Sequence, residues 1–228
     1  MDCLEYMRTL PDKAFALAIA DPPYGINAPK MGMGAGYSDG HYTPSKRLNG
    51  GAGKLKNRVL NQSDCTWDAK PPTKEFFDEL RRVSENVIIW GGNYFDLPPT
   101  RCVICWDKVQ PWENFSQIEL AWTSFDKPAK IIETPSYDPQ RIHLTQKPVA
   151  LYGYLLQNYA KPGDRIFDPM MGSQSSRIAA YKMGFDYVGC ELDKEYFDKG
   201  CERFAKECKG EIKLKDGSIV KQASLFDL

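Results

Sequence analysis

Four consecutive residues, Asp21, Pro22, Pro23 and Tyr24, combine a carboxylate, a stiff backbone and an aromatic ring. They directly follow an apolar run, residues 16–20, that is typical of a short buried strand. Because proline fixes φ, the carbonyl groups of this segment are held in place. A carboxylate, a rigid carbonyl and a flat ring at the end of a strand suit one task, which is to hold a planar ring that bears an amino group. The segment is therefore the candidate catalytic site.

A second segment, residues 165–173, is typical of a strand, a tight turn and the start of a helix. Small residues in such a turn let backbone N–H groups approach a ligand, and the helix N-terminus adds favourable partial charge. Glu191 ends a further strand-like run, where an acid can accept hydrogen bonds from ribose hydroxyls. This pattern by itself is common in α/β proteins, so it indicates a cofactor site only in combination with the segment at Asp21.

Apolar strand-like runs alternate with amphipathic stretches, which favours an α/β fold with a doubly wound, mostly parallel sheet. The runs are continuous rather than alternating, as expected when helices cover both faces of the sheet. Helices are predicted to begin near Thr73, Pro148, Ser175 and Asp193, and a hairpin is predicted over 211–221. The predicted strands are Phe15–Ala20, Asn86–Trp90, Cys102–Trp106, Ile118–Trp122, Arg165–Phe167 and Tyr187–Cys190.

The 228 residues are enough for one substantial core, so we expect a single domain over 1–228. The formal net charge is zero, which limits any nucleic-acid surface to a local patch. Seven scattered cysteines fit a reducing cytoplasm, and no apolar run has the length of a membrane span. Cys102 and Cys105 lie in a strand-like run and point to opposite faces, so no metal site is predicted.

The two segments together resemble the N6-adenine branch of the S-adenosylmethionine-dependent DNA methyltransferases, in the group whose catalytic motif precedes the cofactor motif. The chain looks most like the small, phage-type members, and the resemblance covers most of its length. It implies a class I, Rossmann-like methyltransferase fold and S-adenosylmethionine as the cofactor. The matching segments are 2–5, 20–26, 67–68, 90–95, 120–125, 143–148 with Thr145-Gln146-Lys147-Pro148, and 167–191.

The resemblance also implies which residues bind the cofactor. Glu191 would hold its ribose, Asp2 its adenine, and Lys147 the carboxylate of its methionine part. Family members usually have a second glycine where this chain has Gln174. We expect Gln174 to lie in the first turn of the helix, with an ordinary backbone conformation. The implied cofactor-binding residues are Asp2, Thr145, Gln146, Lys147, Phe167, Asp168, Pro169, Met170, Gly172, Ser173 and Glu191.

The implied reaction is methylation of the exocyclic N6 of an adenine in double-stranded DNA. The Asp21 carboxylate and the Pro22 carbonyl would accept the two amino hydrogens, and Tyr24 would stack on the flipped-out base. Other conjugated amino groups stay open as targets, namely cytosine N4, a glutamine amide or a base in RNA. Related enzymes more often have Ser for cytosine and Asn for glutamine at the first motif position, so Asp21 favours adenine. A non-catalytic DNA-binding module is the alternative of another class.

Residues 28–66 form a long insertion that is rich in glycine and serine and poor in large apolar residues. A loop of this length in a compact domain is usually functional or disordered. We expect it to contact DNA phosphates, with a short target sequence or relaxed specificity, because little of the chain is left for a recognition domain. The candidate DNA-binding residues are Lys30, Lys46, Arg47, Lys54, Lys56 and Arg58.

The last residues, 222–228, are similar to the short peptide by which bacterial DNA enzymes bind the sliding clamp. Leu225 and Phe226 would enter an apolar groove, and Gln222 would fix the register. A tail that packs on its own domain is the equal alternative. Related enzymes often dimerise, so a homodimer is a further expected arrangement.

Overall fold

The apolar run at residues 16–20 forms the central strand of the fold, β1 (Phe15–Ala20). The protein is described here by a computed structural model that covers residues 1–28, 66–110 and 116–208 and the backbone of strands at 35–38, 41–44, 211–213 and 219–221. Five of the six residues of β1 are almost fully buried, namely Phe15 and residues 17–20. The larger of these side chains, Phe15, Leu17 and Ile19, each contribute about 1.5–3 kcal/mol relative to exposed ones.

Seven strands form the main sheet in the order β7-β5-β6-β4-β1-β8-β9. Within it, β6 runs antiparallel to its neighbours β4 and β5, and the other pairs are parallel. The predicted doubly wound α/β architecture is therefore confirmed. The other six strands are β4 (Ser84–Trp90), β5 (Val103–Asp107), β6 (Ile118–Thr123), β7 (Lys130–Glu133), β8 (Arg165–Asp168) and β9 (Asp186–Gly189).

Helices cover both faces of the sheet and enclose two apolar clusters. Leu17 and Ile19 pack into one cluster, and Ala18 and Ala20 pack into the other, because successive strand residues point to opposite faces. This two-sided burial explains why the strands read as continuous apolar runs. The helices are α1 (Cys3–Arg8), α2 (Lys74–Val83), α3 (Val149–Tyr159), α4 (Ser175–Lys182) and α5 (Lys194–Cys208).

The parallel register brings the functional segments to one edge of the sheet. β1 lies between β4 and β8, with Ala20 beside Ile89 and Ala18 beside Phe167. Because parallel strands end at the same edge, the segment that follows Ala20 and the turn that follows β8 lie side by side. The two predicted sites therefore face one region of the molecule, as the sequence predicts.

Several elements differ from the prediction. The short helix α1 and the edge strand β7 were not predicted, since six and four residues give little periodicity. Thr73 does precede α2, although its side chain makes no capping hydrogen bond. The predicted hairpin forms as β10 (Glu211–Lys213) and β11 (Ile219–Lys221), in a two-stranded sheet of its own. The 28–66 insertion contains a second hairpin, β2 (Ala35–Ser38) and β3 (His41–Pro44).

Within the described ranges, each helix is too short or too polar to cross a membrane.

Candidate active site

The catalytic candidate Asp21 lies directly after β1 and is held by two neighbours. Lys147 Nζ donates to its Oδ1 atom at 2.5 Å, and the Tyr24 hydroxyl donates to the same atom at 2.9 Å. Both contacts fall on Oδ1, which fixes the rotation of the carboxylate. The Asp21 side chain keeps 17% of its surface exposed. This is the geometry of an acceptor that has been oriented in advance by its neighbours.

Four alternating charges make up what we call the buried charge cluster: Asp21, Lys147, Glu119 and Lys108. Lys147 Nζ lies 3.0 Å from Glu119 Oε2, and Lys108 Nζ lies 2.6 Å from Glu119 Oε1. The two lysine side chains are 2% and 6% exposed, so the cluster is screened from water. Two positive and two negative groups balance each other.

The cluster favours the charged forms of Glu119 and Lys147, whereas burial raises the pKa of Asp21. Burial alone would raise the pKa of Glu119, but Lys147 and Lys108 outweigh it and lower that pKa to about 2. Burial likewise opposes a charge on Lys147, but Asp21 and Glu119 raise its pKa. Burial raises the pKa of Asp21, and Lys147 is the main group that opposes this shift. Asp21 therefore depends on Lys147 to remain a carboxylate.

Sequence reasoning missed Glu119 and Lys108. Glu119 lies inside an apolar strand, β6, and Lys108 directly follows β5. A charged residue within or at the end of a buried strand requires a partner, because an unpaired buried charge is costly. That requirement is the signal that could have identified them.

The Tyr24 ring, predicted to stack on a base, is stacked on Tyr94 in this structure. Their ring centroids are 4.9 Å apart and the planes differ by 13°. Tyr94 is 47% exposed, so its ring can be displaced without opening the core. Gly91, at a φ of 70°, packs against Tyr24, and a Cβ there would lie 2.5 Å from Tyr24 Cδ1. The close approach of the 91–94 turn thus requires glycine.

Asp68 anchors the loop that follows Tyr24, a role that the sequence did not reveal. Its Oδ1 accepts from the Gly25 N–H at 2.9 Å, and its Oδ2 accepts from the Ala28 N–H at 2.8 Å. Asp68 is 2% exposed. Two such bonds to a buried carboxylate hold the catalytic segment in one conformation.

The second predicted segment forms a tight acidic turn after β8. Asp168 Oδ2 accepts from the Ser176 hydroxyl at 2.5 Å, and its Oδ1 accepts from the Met170 N–H at 3.0 Å. Burial raises the pKa of Asp168 to about 7; its two hydrogen bonds oppose the shift, and the charges of Asp21 and Glu191 add to it. The contribution of Asp21 to this shift reflects the closeness of the two segments.

Glu191 closes the turn from the neighbouring strand. Its Oε2 accepts from the Gly172 N–H at 2.8 Å, and its Oε1 accepts from the Asp193 N–H at 2.9 Å. Burial raises the pKa of Glu191, and these backbone bonds oppose the shift. Glu191 is therefore placed beside the glycine turn, where the sequence predicts it.

The expectation for Gln174 was wrong, because its φ is 61°, in the left-handed region. Its side chain is fully buried, donates to the Phe197 carbonyl at 3.0 Å and accepts from Arg177 Nη1 at 2.8 Å. Gly200 makes room for it, since a Cβ there would lie 2.5 Å from Gln174 Nε2. The side-chain contacts offset a backbone conformation that normally favours glycine.

The remaining cofactor candidates fall into three groups. Pro169, Met170 and Ser173 lie in the turn, with Pro169 and Ser173 buried. Asp2 caps α1 by accepting from the Leu4 and Glu5 N–H groups. The ring of Phe167 is wholly buried and stacks on Phe15 with centroids 4.5 Å apart, so its side chain belongs to the core.

The 143–147 segment is largely occupied with protein contacts. Gln146 donates to Asp138 Oδ2 at 2.6 Å and accepts from the Ile142 N–H at 3.0 Å. Thr145 Oγ1 lies 3.2 Å from His143 Nδ1. Burial, with the charge of Lys147, lowers the pKa of His143 to about 4, so this histidine is neutral and structural. The Lys147 ammonium meets carboxylates of the protein itself, where we expected a cofactor carboxylate.

The candidate DNA contacts Lys30, Lys46, Arg47, Lys54, Lys56 and Arg58 lie outside the described residues. The same is true of Gln222, Leu225 and Phe226 in the predicted clamp-binding tail.

The chain matches a family of DNA methylases over residues 89–202, which is half of its length. The chain therefore belongs to the DNA methylase family. YubD of Escherichia coli (strain K12), a candidate methylase by its name, is 22% identical over 231 residues, covering 90% of this chain and 88% of YubD. The DNA adenine methyltransferase YhdJ of the same organism is 31% identical over 98 residues, covering 40% of this chain and 33% of YhdJ.

Solved structures share the fold over nearly the whole chain. M1.HpyAVI, solved as a complex with SAM, has a TM-score of 0.53 and 18% identity, covering 89% of this chain and 96% of that one. The cytosine-N4-specific PvuII DNA methyltransferase has a TM-score of 0.52 and 12% identity, covering 96% of this chain and 94% of its own. The chain thus has the class I methyltransferase fold.

Proposed function

We propose that this DNA methylase transfers a methyl group from S-adenosylmethionine to the exocyclic N6 of an adenine in double-stranded DNA. One observation carries the proposal: the Asp21 segment and the Asp168 turn follow adjacent parallel strands, β1 and β8. A methyl group can then pass between a base held by the first and a cofactor held by the second. Holding the two reactants in line supplies much of the rate in a reaction of this kind.

The cofactor fits the charge of this region. Burial raises the pKa of Asp168, and the negative charges of Asp21 and Glu191 add to the shift. A ligand with a positive charge would relieve that repulsion, and S-adenosylmethionine carries a sulfonium and an ammonium group. The carboxylate of Glu191, in the turn with Gly172, would face the ribose. When bound, the cofactor supplies an electrophilic methyl group on sulfur.

Asp21 and Pro22 act on the amino group. The lone pair of an adenine amino nitrogen is delocalised into the ring, so the nitrogen is a poor nucleophile. Acceptors on both N–H bonds favour a pyramidal nitrogen and free that lone pair. Asp21 is oriented through Oδ1, and the Pro22 carbonyl follows it on a backbone that proline has stiffened. After transfer the nitrogen is strongly acidic, so Asp21 or solvent takes its proton.

The target base must leave the duplex, because its amino nitrogen is otherwise out of reach. Tyr24 offers a stacking surface worth about 1–3 kcal/mol per base. Tyr94 stacks on this ring, so an entering base would displace Tyr94. The exposure of Tyr94 makes that exchange feasible.

Cytosine N4 is the second candidate target. Its amino group is conjugated in the same way, and the PvuII enzyme with this fold is specific for it. Adenine is favoured by Asp21 at the first motif position and by the similarity to the adenine methyltransferase YhdJ. A non-catalytic module is disfavoured, because a preoriented carboxylate and its buried lysine have no use in passive binding.

We further propose DNA contact by the basic insertion and clamp binding by the tail. Replacing Lys46, Arg47, Lys54 and Lys56 with Glu is expected to weaken DNA binding and to reduce its salt dependence.

Clamp binding is tested by comparing the purified chain with and without residues 222–228, and equal binding by the two would end that proposal. A homodimer is tested by the mass of the chain in solution.

The proposed reaction is tested by mapping modified bases in DNA from cells that express the chain. We expect N6-methyladenine at one or a few short sequences, and none in cells that express Asp21→Ala. Modified cytosines in place of adenines would support the N4 alternative. Unmodified DNA in both cultures, with the protein present and folded, would support the non-catalytic module.

A further inference from the structure

We propose that Lys108 is a positioning residue for the methyl transfer: it neutralises Glu119 and thereby leaves Lys147 bound to Asp21. This inference rests on the proposed function of Asp21. In the buried charge cluster, Glu119 and Lys147 lie between Lys108 and Asp21. The influence of Lys108 on Asp21 would therefore travel through three ion pairs.

The geometry makes Lys147 a shared partner. Its ammonium lies 2.5 Å from Asp21 Oδ1 and 3.0 Å from Glu119 Oε2, so the two carboxylates compete for one cation. Glu119 has a second cation in Lys108, at 2.6 Å from its other oxygen. The Tyr24 hydroxyl lies 2.9 Å from Asp21 Oδ1 and 3.3 Å from Glu119 Oε2, so its single hydrogen can be donated to either carboxylate.

The backbone fixes Lys108 in this place. Its N–H donates to the Gln117 carbonyl at 2.9 Å, and its carbonyl accepts from the Ser136 N–H at 3.1 Å. Its side chain is 6% exposed and crosses near the Trp106 ring, with Nζ 5.6 Å from the ring centroid. These backbone bonds hold the base of the buried side chain that reaches Glu119.

Removal of the Lys108 charge would alter the competition. Glu119 would then be a buried carboxylate with Lys147 as its remaining partner in the cluster, and an uncompensated buried charge is strongly unfavourable. Lys147 would move toward Glu119 and away from Asp21. Asp21 would lose the contact that orients Oδ1, and burial would favour its protonated form, which accepts the amino hydrogen poorly.

The test compares Lys108→Met with the double variant Lys108→Met/Glu119→Gln in the full chain, with DNA and S-adenosylmethionine. We expect kcat of Lys108→Met to fall about 10- to 100-fold, less than for complete removal of an electrostatic group at the reacting atoms. The double variant removes both outer charges, so Lys147 stays on Asp21 and kcat returns to within about threefold of wild type. Lys108→Arg, the matched control, keeps the charge and the activity.

A merely structural role predicts another pattern. In that case the losses of the two substitutions add, and the double variant is as slow as the single variant or slower. That result, or an unchanged kcat in Lys108→Met, would overturn the inference. If Lys108→Met does not fold, the kcat of the charge-balanced double variant tests the proposal by itself. A folded double variant with little activity would contradict the proposal. A wild-type chain that methylates no DNA instead refutes the proposed function itself.

Discussion

The ammonium nitrogen of Lys147 lies 2.5 Å from Oδ1 of Asp21, a residue 126 positions earlier in the chain. This contact ties the segment before α3 to the end of the central strand. It opposes the rise in the pKa of Asp21 that burial causes, and it falls on one of the two carboxylate oxygens, Oδ1. The lysine that the resemblance assigns to the cofactor is thus, in this chain, the partner of the catalytic candidate.

Replacing Lys147 with Met is expected to lower kcat by about 100-fold or more, as for other groups that stabilise charge at a reacting centre. Lys147 opposes the effect of burial on Asp21, so its loss raises the pKa of Asp21 further. The acidic limb of the kcat–pH profile therefore moves to higher pH. Lys147→Arg keeps the charge and serves as the control. An unshifted limb in Lys147→Met would show that Asp21 does not depend on this pair.

Replacing Tyr94 with Ala is expected to strengthen capture of the target base. The stack of Tyr94 on Tyr24 must be broken before a base can take its place, and aromatic pairs of this kind contribute about 0.5–1.5 kcal/mol. The affinity difference between DNA with an adenine target and DNA with an abasic target should grow about 2- to 10-fold. Tyr94→Phe keeps the stack and should match wild type. A smaller difference in Tyr94→Ala would mean that Tyr94 holds the base.

Position 174 allows the cost of its backbone conformation to be measured. Gln174→Ala and Gln174→Gly lose the same side-chain contacts, but glycine tolerates a φ of 61° without a steric penalty. We therefore expect the free energy of unfolding of Gln174→Gly to be about 1 kcal/mol larger than that of Gln174→Ala. Both variants should be less stable than wild type, because the buried amide bonds to Phe197 and Arg177 are gone. Urea unfolding measures the difference, and equal stabilities would show that the backbone is not strained.

Asp168 is expected to make the protein less stable as pH rises. Its pKa is raised from 3.8 to about 7 in the folded state, mainly by burial, so the folded chain holds a proton that the unfolded chain releases. Its contribution to stability is complete below about pH 4 and is lost as pH rises through 7. In Asp168→Asn this component is absent. Between pH 5 and pH 8, the free energy of unfolding should therefore fall by about 2–3 kcal/mol less in Asp168→Asn than in wild type. Parallel stability curves would contradict the assignment.

The sequence was sufficient for the fold because the strands are buried on both faces. The continuous apolar runs located β1, β4, β5, β6, β8 and β9, and the parallel order placed Asp21 and Asp168 at one edge. Strand β7 was missed because it has four residues, with Lys130 and Glu133 at its ends. Short edge strands carry little pattern for a sequence to show.

The position of the candidate site in the fold was predictable from the sequence, but the pairs that its side chains form were not. The motif residues Asp21 and Asp168 follow their strands as expected. The Lys147 side chain, however, pairs with Glu119, and Glu119 lies within the apolar strand β6, where no local pattern indicates its role. The conformation of Gln174 depends on the space left by Gly200, which lies in another helix. Contacts between segments that are distant in the sequence determine these side-chain pairs and backbone conformations, and a local sequence pattern does not indicate them.

The central claim is tested most directly by methyl transfer from labelled S-adenosylmethionine to DNA, followed by separation of the nucleosides. We predict that the label is recovered in N6-methyldeoxyadenosine, and that Asp21→Ala abolishes it while cofactor binding persists. Label in N4-methyldeoxycytidine, or transfer that continues in Asp21→Ala, would contradict the account.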